Sequence, residues 1–96
     1  MRIGRIKVAE RVENSDKLIK LIVDLGGEDR QIIAGIGKVY EPAALAGKEI
    51  AVVVNLEPRT LMGLQSQGML LAATDADDSP VILTVEKDVK PGTKIR

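Results

Sequence analysis

The apolar residues of this chain come in short β-branched clusters, each closed within a few residues by Gly, Pro, Asn or Asp. Ten Val, ten Ile and ten Leu make up most of the set, and clusters of that length, punctuated that often, fit strands better than helices. Ile3-Gly4-Arg5-Ile6-Lys7-Val8 alternates with period two, which predicts Ile6 and Val8 on one face and Arg5 and Lys7 on the other. Gly4 sits where a strand can bend or let a neighbour approach closely. Asn14-Ser15-Asp16 reads as a turn, Leu18 to Leu25 as a second strand, Gly26-Gly27-Glu28-Asp29 as a hairpin, and Gln31 to Ala34 as a third strand. Glu41-Pro42-Ala43-Ala44-Leu45-Ala46-Gly47 differs, with Pro at the first helical position and Gly past the end. It predicts about one and a half turns of helix. Glu49 to Val54, Gly68 to Thr74 and Val81 to Val85 complete the strands. Three strands, a short helix, then two or three strands is the order of an OB-fold, an all-β five-stranded Greek-key barrel with its helix between strands three and four. A small barrel of SH3-like type is the alternative.

Length sets the scale. A folded chain of 10.3 kDa exposes about 5,400 Å² against about 15,000 Å² unfolded, enough burial for one core. A single domain over residues 1–96 is expected. The chain has no Cys, His, Trp or Phe, and Tyr40 is its only aromatic residue. That inventory leaves no disulfide scaffold, no ordinary zinc site, and no Ser–His or Cys–His pair. One aromatic cannot build a base-stacking platform. With no apolar run of membrane-spanning length and no signal-peptide pattern, a soluble cytoplasmic protein is expected. Fourteen Lys and Arg balance fourteen Asp and Glu, which argues against indiscriminate binding to polyanions. The balance is uneven along the chain, however. Residues 1–20 hold six basic and three acidic side chains, and fields are local over a Debye length of about 8 Å.

Most candidate motifs dissolve on inspection. Gly35-Ile36-Gly37-Lys38 lacks the upstream Gly and following Ser or Thr of a phosphate loop, and reads as a turn leaving strand three. Asp75-Ala76-Asp77-Asp78 runs into Ser79-Pro80 rather than a calcium-loop Gly and Glu, and reads as a solvated acidic turn. Glu41, Glu49 and Glu57 have no partner at catalytic spacing and read as surface carboxylates. No metal, cofactor or catalytic site is expected, so the chain does not read as an enzyme.

The segment Asn55 to Met69 is harder to dismiss. It spans fifteen residues where an ordinary connection takes about four to six. Asn55, Arg59, Gln65, Ser66 and Gln67 supply polar groups, and Met62 and Met69 flank a turn. In an OB-fold this is a usual ligand-binding edge. The alternative is a β-hairpin whose two methionines fill gaps in the core.

At this segment the chain resembles the tRNA-binding domain shared by the C-terminus or β subunit of methionyl-tRNA synthetases, stand-alone tRNA-binding proteins and synthetase-associated cytokine precursors. Arg2-Ile3-Gly4-Arg5-Ile6 is similar to the family's opening strand, and Asn14-Ser15-Asp16-Lys17-Leu18 to its first turn. Ala34-Gly35-Ile36 with Tyr40 to Leu45 and Gly47-Lys48 is similar to its serine–glycine–isoleucine segment and short proline-led helix. The most specific match is Asn55-Leu56-Glu57-Pro58-Arg59 followed by Ser66-Gln67-Gly68-Met69-Leu70-Leu71-Ala72-Ala73.

The resemblance covers nearly the whole chain and implies an OB-fold that grips the outer corner of tRNA by shape. It implies a non-catalytic module, free-standing or attached to a methionyl-tRNA synthetase catalytic subunit, that assists aminoacylation in trans. Asn55, Arg59, Ser66 and Met69 match the tRNA-binding loop, and Lys38 and Lys17 fall near that face. Met69 would offer an apolar contact or hold the loop from inside. The resemblance also implies a homodimer joined through C-terminal strands, here Val81–Ile95. One departure stands out. Thr60-Leu61 replaces the Lys-Met common after Pro-Arg, which removes a cation. The related secretion-chaperone family shares the barrel but lacks the Gly-Met-Leu pattern; a dimeric peptide-binding module of that type is the alternative function.

Overall fold

A computed structural model describes residues 1–96. Its strands are β1 (Arg2–Arg11), β2 (Ile19–Asp24), β3 (Asp29–Ala34), β4 (Glu49–Val53), β5 (Arg59–Leu61), β6 (Leu64–Ser66), β7 (Met69–Leu70), β8 (Ala72–Thr74) and β9 (Pro80–Ile82), with one helix, α1 (Pro42–Leu45), between β3 and β4. Five strands form a curled antiparallel sheet in the order β3-β2-β1-β4-β7, while β5–β6 and β8–β9 are separate hairpins. Placing β4 beside β1 and outside β1-β2-β3 is the Greek-key arrangement, and with the helix after β3 it gives the OB-type half-barrel that the strand order predicts.

The concave side of the sheet holds one core. Ile6, Ile19, Leu21, Val23, Ile32, Ile50 and Val52 point inward, and Leu45 from α1 plugs one end. The alternation of β2 is visible in its burial, with Ile19, Leu21 and Val23 fully buried and the residues between them half-exposed. Gly4 is needed for close approach, although by side chains rather than backbone: a Cβ there would overlap Val23 Cγ1 and lie 2.9 Å from Leu25 Cδ2.

Four expectations are corrected. The period-two reading put Val8 on the face of Ile6, but the register passes from Ile6↔Val23 to Val8↔Ile22, so Lys7 is an extra residue in a bulge. The bulge turns Val8 outward, where it is 47% exposed. The strand expected over Gly68–Thr74 divides at Leu71. Met69 and Leu70 pair with β4, whereas Ala72 to Thr74 pair with Pro80 to Ile82. Leu71 is the pivot, donating its N–H to Ala51 O at 3.0 Å and accepting from Leu83 N–H at 3.2 Å. The last strand accordingly spans Pro80–Ile82 rather than Val81–Val85. Finally, Glu49 is no surface carboxylate. It is 6% exposed, lies 3.6 Å from the Arg5 guanidinium, and accepts the Val89 N–H through Oε2 at 3.2 Å. It ties the C-terminal segment to the sheet.

The barrel closes differently from the rest of its ladder. On the free edge of β3, Gln31 N–H donates to Gln67 Oε1 at 3.0 Å, Gln67 N–H donates to Gln31 O at 2.8 Å, and Ile33 N–H donates to Ser66 Oγ at 3.0 Å. Side chains thus satisfy edge donors that a sixth sheet strand would otherwise take.

Candidate functional site

Between Val54 and Gln67 the chain leaves the sheet and forms the β5–β6 hairpin, paired only to itself through Arg59↔Ser66, Thr60↔Gln65 and Leu61↔Leu64. Its tip is Met62-Gly63, with φ of 51° and 78°. Two successive positive φ values make the mirror-image turn that matches strand twist in a two-residue hairpin. The segment is therefore both a hairpin and a loop. Its methionines do not fill the core, since Met62 is 57% and Met69 44% exposed.

The hairpin folds over the outer face of β3 and buries Ile33 there. A groove of about 190 Å³ remains between it and the end of β3. Ile33, Ala34 and Leu70 supply apolar floor, with Arg59, Glu57 and Met69 around it. Arg59, Ser66 and Met69, all picked out from the sequence, converge here. They do so differently. Arg59 is exposed and engages no carboxylate, and Met69 presents its thioether chain at the surface. Ser66 is 5% exposed, and its hydroxyl is occupied inside the chain, accepting from Ile33 N–H and donating to Gly68 O at 3.1 Å.

Lys17 borders the same groove, because its aliphatic stem lies across Gly35: a Cβ on Gly35 would be 3.1 Å from Lys17 Cε. Lys38 lies further along in an open polar depression with Arg11, Ser15, Asp16 and Gly37. The Gly37 N–H donates to Lys17 O at 2.7 Å and joins the two turns. Asn55 is not in the groove. It sits in a separate cleft with Met1, Arg2, Val54, Lys94 and Ile95, which adds Arg2 and Lys94 to the basic groups near the loop. No short-range signal announces that pair, because it forms where the two ends of the chain meet, at the Arg2↔Lys94 bridge and the hydrogen bonds around it.

Five basic side chains are neutralised by ion pairs: Arg5 with Glu49, Lys7 with Asp29, Arg11 with Glu41, Lys20 with Glu10 and Arg30 with Glu28. The exposed Lys7–Asp29 pair is close, and the hydrogen bond to Asp29 raises the Lys7 pKa above its ordinary value. Lys17, Lys38 and Arg59 belong to none of these pairs. The acidic Asp75–Ser79 turn is closed by its own hydrogen bonds, with Asp77 Oδ1 accepting from Ser79 N–H at 3.1 Å. Hydrogen bonds from Ser79, its hydroxyl first, hold the Asp77 carboxyl below the usual carboxylate range.

Comparison with known proteins finds a tRNA-binding family over nearly the whole chain and, among solved structures, a chaperone as well. A family model described as "Putative tRNA binding domain" matches residues 1–94. The methionine–tRNA ligase of Caldanaerobacter subterraneus subsp. tengcongensis is 55% identical over 95 residues, covering 99% of this chain and 15% of that protein. That of Archaeoglobus fulgidus is 52% identical, covering 99% of this chain and 14% of that protein. Among solved structures, a MetRS-related protein from Pyrococcus horikoshii superposes with a TM-score of 0.93 at 40% identity, covering 99% of this chain and 87% of the other. The chaperone CsaA of Bacillus anthracis gives 0.90 at 32% identity, covering 99% and 88%. The chain thus spans about one seventh of the length of the two ligases, and most of the two solved chains.

Proposed function

The chain belongs to the tRNA-binding domain family, and on that footing we propose that it is a non-catalytic module that grips the outer corner of tRNA by shape and assists aminoacylation in trans. The observation that carries this reading is where three of the unpaired cations lie. Five of the fourteen basic side chains are ion-paired, and among the nine that are not, Arg59 and Lys17 stand at the groove and Lys38 in the depression beside it. Arg59 forks onto a backbone phosphate, and the two lysines act as point charges on neighbouring phosphates. Asn55 bonds a phosphate or 2′-hydroxyl oxygen from its own cleft, and Met69 supplies an adaptable apolar contact. Ser66 contributes by holding the loop. The bound RNA is positioned rather than read base by base, which is how a chain with one aromatic recognises a folded nucleic acid.

A methionyl-tRNA synthetase catalytic subunit or domain is the partner that turns weak binding into useful local concentration, and that role sets the module in the cytoplasm. No helix is long and apolar enough to cross a membrane. Homodimerisation through Val81–Ile95 fits the same role, since Val81 and Leu83 are exposed apolar residues at 43% and 44%.

Titrating labelled tRNA and duplex DNA over a range of salt tests the proposal. We expect preference for tRNA, affinity falling with salt, and a slope shallower by about one in Arg59→Gln. Equal affinity for both nucleic acids, or none for tRNA at low salt, would overturn it. The apolar floor of the groove, with Leu56 and Met69 exposed around it and Met62 exposed at the hairpin tip, supports a second reading as a peptide-binding module of the secretion-chaperone type. Capture from lysate separates the two: partners released by ribonuclease favour the first, bound extended polypeptide the second.

A further inference from the structure

Residues 55–66 leave the barrel and return to it without joining its sheet, and a lone two-stranded hairpin is marginal in water. Its direction is fixed by its packing over β3 and by its base. There the Arg30 guanidinium reaches from β3 and donates through Nη1 to both Val54 O, at 2.7 Å, and Gln67 O, at 3.2 Å. These are the carbonyls on either side of the excursion. Its Nη2 faces Glu28 Oε1 at 3.4 Å, which aims the group. Next to it, Gln31 and Gln67 exchange two hydrogen bonds, and Gln31 Nε2 donates to Gln65 O at 2.9 Å.

From this geometry we propose that Arg30 is the positioning residue of the tRNA interface: it clamps the two ends of the 55–66 segment together and so holds Arg59 over the groove. The part of this that concerns tRNA rests on the function proposed above. Arg30 itself is spent inside the chain, with both Nη1 hydrogens on carbonyls and Nη2 on a carboxylate, and is 26% exposed. Lysine does not replace it, because its ammonium ends one bond short of the outer guanidinium nitrogen and lacks the fork. Loss of the clamp lowers the fraction of molecules with the hairpin in place while leaving the bound state unchanged, so apparent affinity falls by that fraction.

The test compares wild type, Arg30→Gln, Arg30→Lys and Arg59→Gln. Hydrogen exchange without RNA reports the clamp directly: amides of residues 59–66 lose protection in both Arg30 variants, while those of β1 and β2 keep it and show that the barrel is folded. In tRNA titrations both Arg30 variants bind about tenfold more weakly with the wild-type salt slope, whereas Arg59→Gln loses about one unit of slope. Unchanged protection over 59–66 would overturn the clamp. A shallower slope in Arg30→Gln that Arg30→Lys restores would overturn the positioning role in favour of direct phosphate contact. A wild-type chain that binds no tRNA would overturn the functional reading, and the exchange comparison would still decide the clamp.

Discussion

Replacing Ser66 by Ala separates two roles that one hydroxyl could have in this loop. Ser66 Oγ accepts the Ile33 N–H at 3.0 Å and donates to Gly68 O at 3.1 Å, inside a residue that is 5% exposed. Ile33 is itself 7% exposed, and its N–H faces the open edge of β3, away from β2. Alanine removes the acceptor without opening a path for water. A buried donor left unsatisfied costs about 1–3 kcal/mol, and Oγ also relieves a second group, so about 2 kcal/mol is expected. In a domain of about this size that lowers the thermal midpoint by about 10 °C. Circular dichroism melts of the two proteins give the midpoints, and tRNA titration well below both gives the affinities of the folded forms. The expected result is a large drop in midpoint with a modest loss of affinity through the loosened loop. An unchanged midpoint with a large loss of affinity would refute the reasoning and make Ser66 a direct contact to RNA.

Two further outcomes follow from the turns. Met62 adopts φ of 51° at an exposed position before Gly63, a conformation that costs an ordinary side chain about 1–2 kcal/mol and that Asn tolerates far better. Met62→Asn should therefore slow hydrogen exchange across residues 59–66, and equal or faster exchange would contradict the turn assignment. The Asp77 carboxyl is held below the usual range by the Ser79 hydroxyl and amide. A depressed folded-state value contributes stability above the unfolded pKa and loses it as pH falls through the folded one. Ser79→Ala should raise the Asp77 pKa back toward the ordinary carboxylate value in an NMR titration, and an unmoved titration would deny the hydroxyl its part.

The fold was legible wherever its cause is local. Pro42 and Gly47 bracket the helix as N-terminal proline and trailing glycine do generally, although it is one turn long. Gly26-Gly27 marks the β2–β3 hairpin for the same reason. What escaped depends on partners distant in the chain. Nothing in Ile6-Lys7-Val8 reveals the bulge, because the missing residue is opposite, between Ile22 and Val23. Met69 to Thr74 reads as one strand because both halves have strand composition, and only their different partners, Val52–Val53 and Pro80–Ile82, divide them. The candidate site shows the same limit. Its residues were marked by the Asn55–Ala73 resemblance, but which of them face out is decided by closure of the barrel. That closure turns Ser66 inward onto Ile33 and enlists Arg30, which looks like any other charged strand residue.

Charge ties these levels together. The sum of zero describes the whole chain, whereas a phosphate within a Debye length of about 8 Å responds to the groups beside it. Ion pairing removes Arg5, Lys7, Arg11, Lys20 and Arg30 from that response; of the nine cations left, Arg59, Lys17 and Lys38 are the ones at the groove and the depression beside it, with Glu57 in the groove opposing them. Three phosphate contacts predict a logarithmic salt slope of about −2 to −3, shallow by comparison with proteins that rely on charge alone. Thr60 and Leu61, at positions where a further cation would steepen it, keep it shallow. Two copies engaging one tRNA would roughly double the slope, while one copy with a synthetase partner would leave this domain's share unchanged. The slope measured on the isolated chain therefore counts how many copies hold the RNA, and it does so independently of how tightly they hold it.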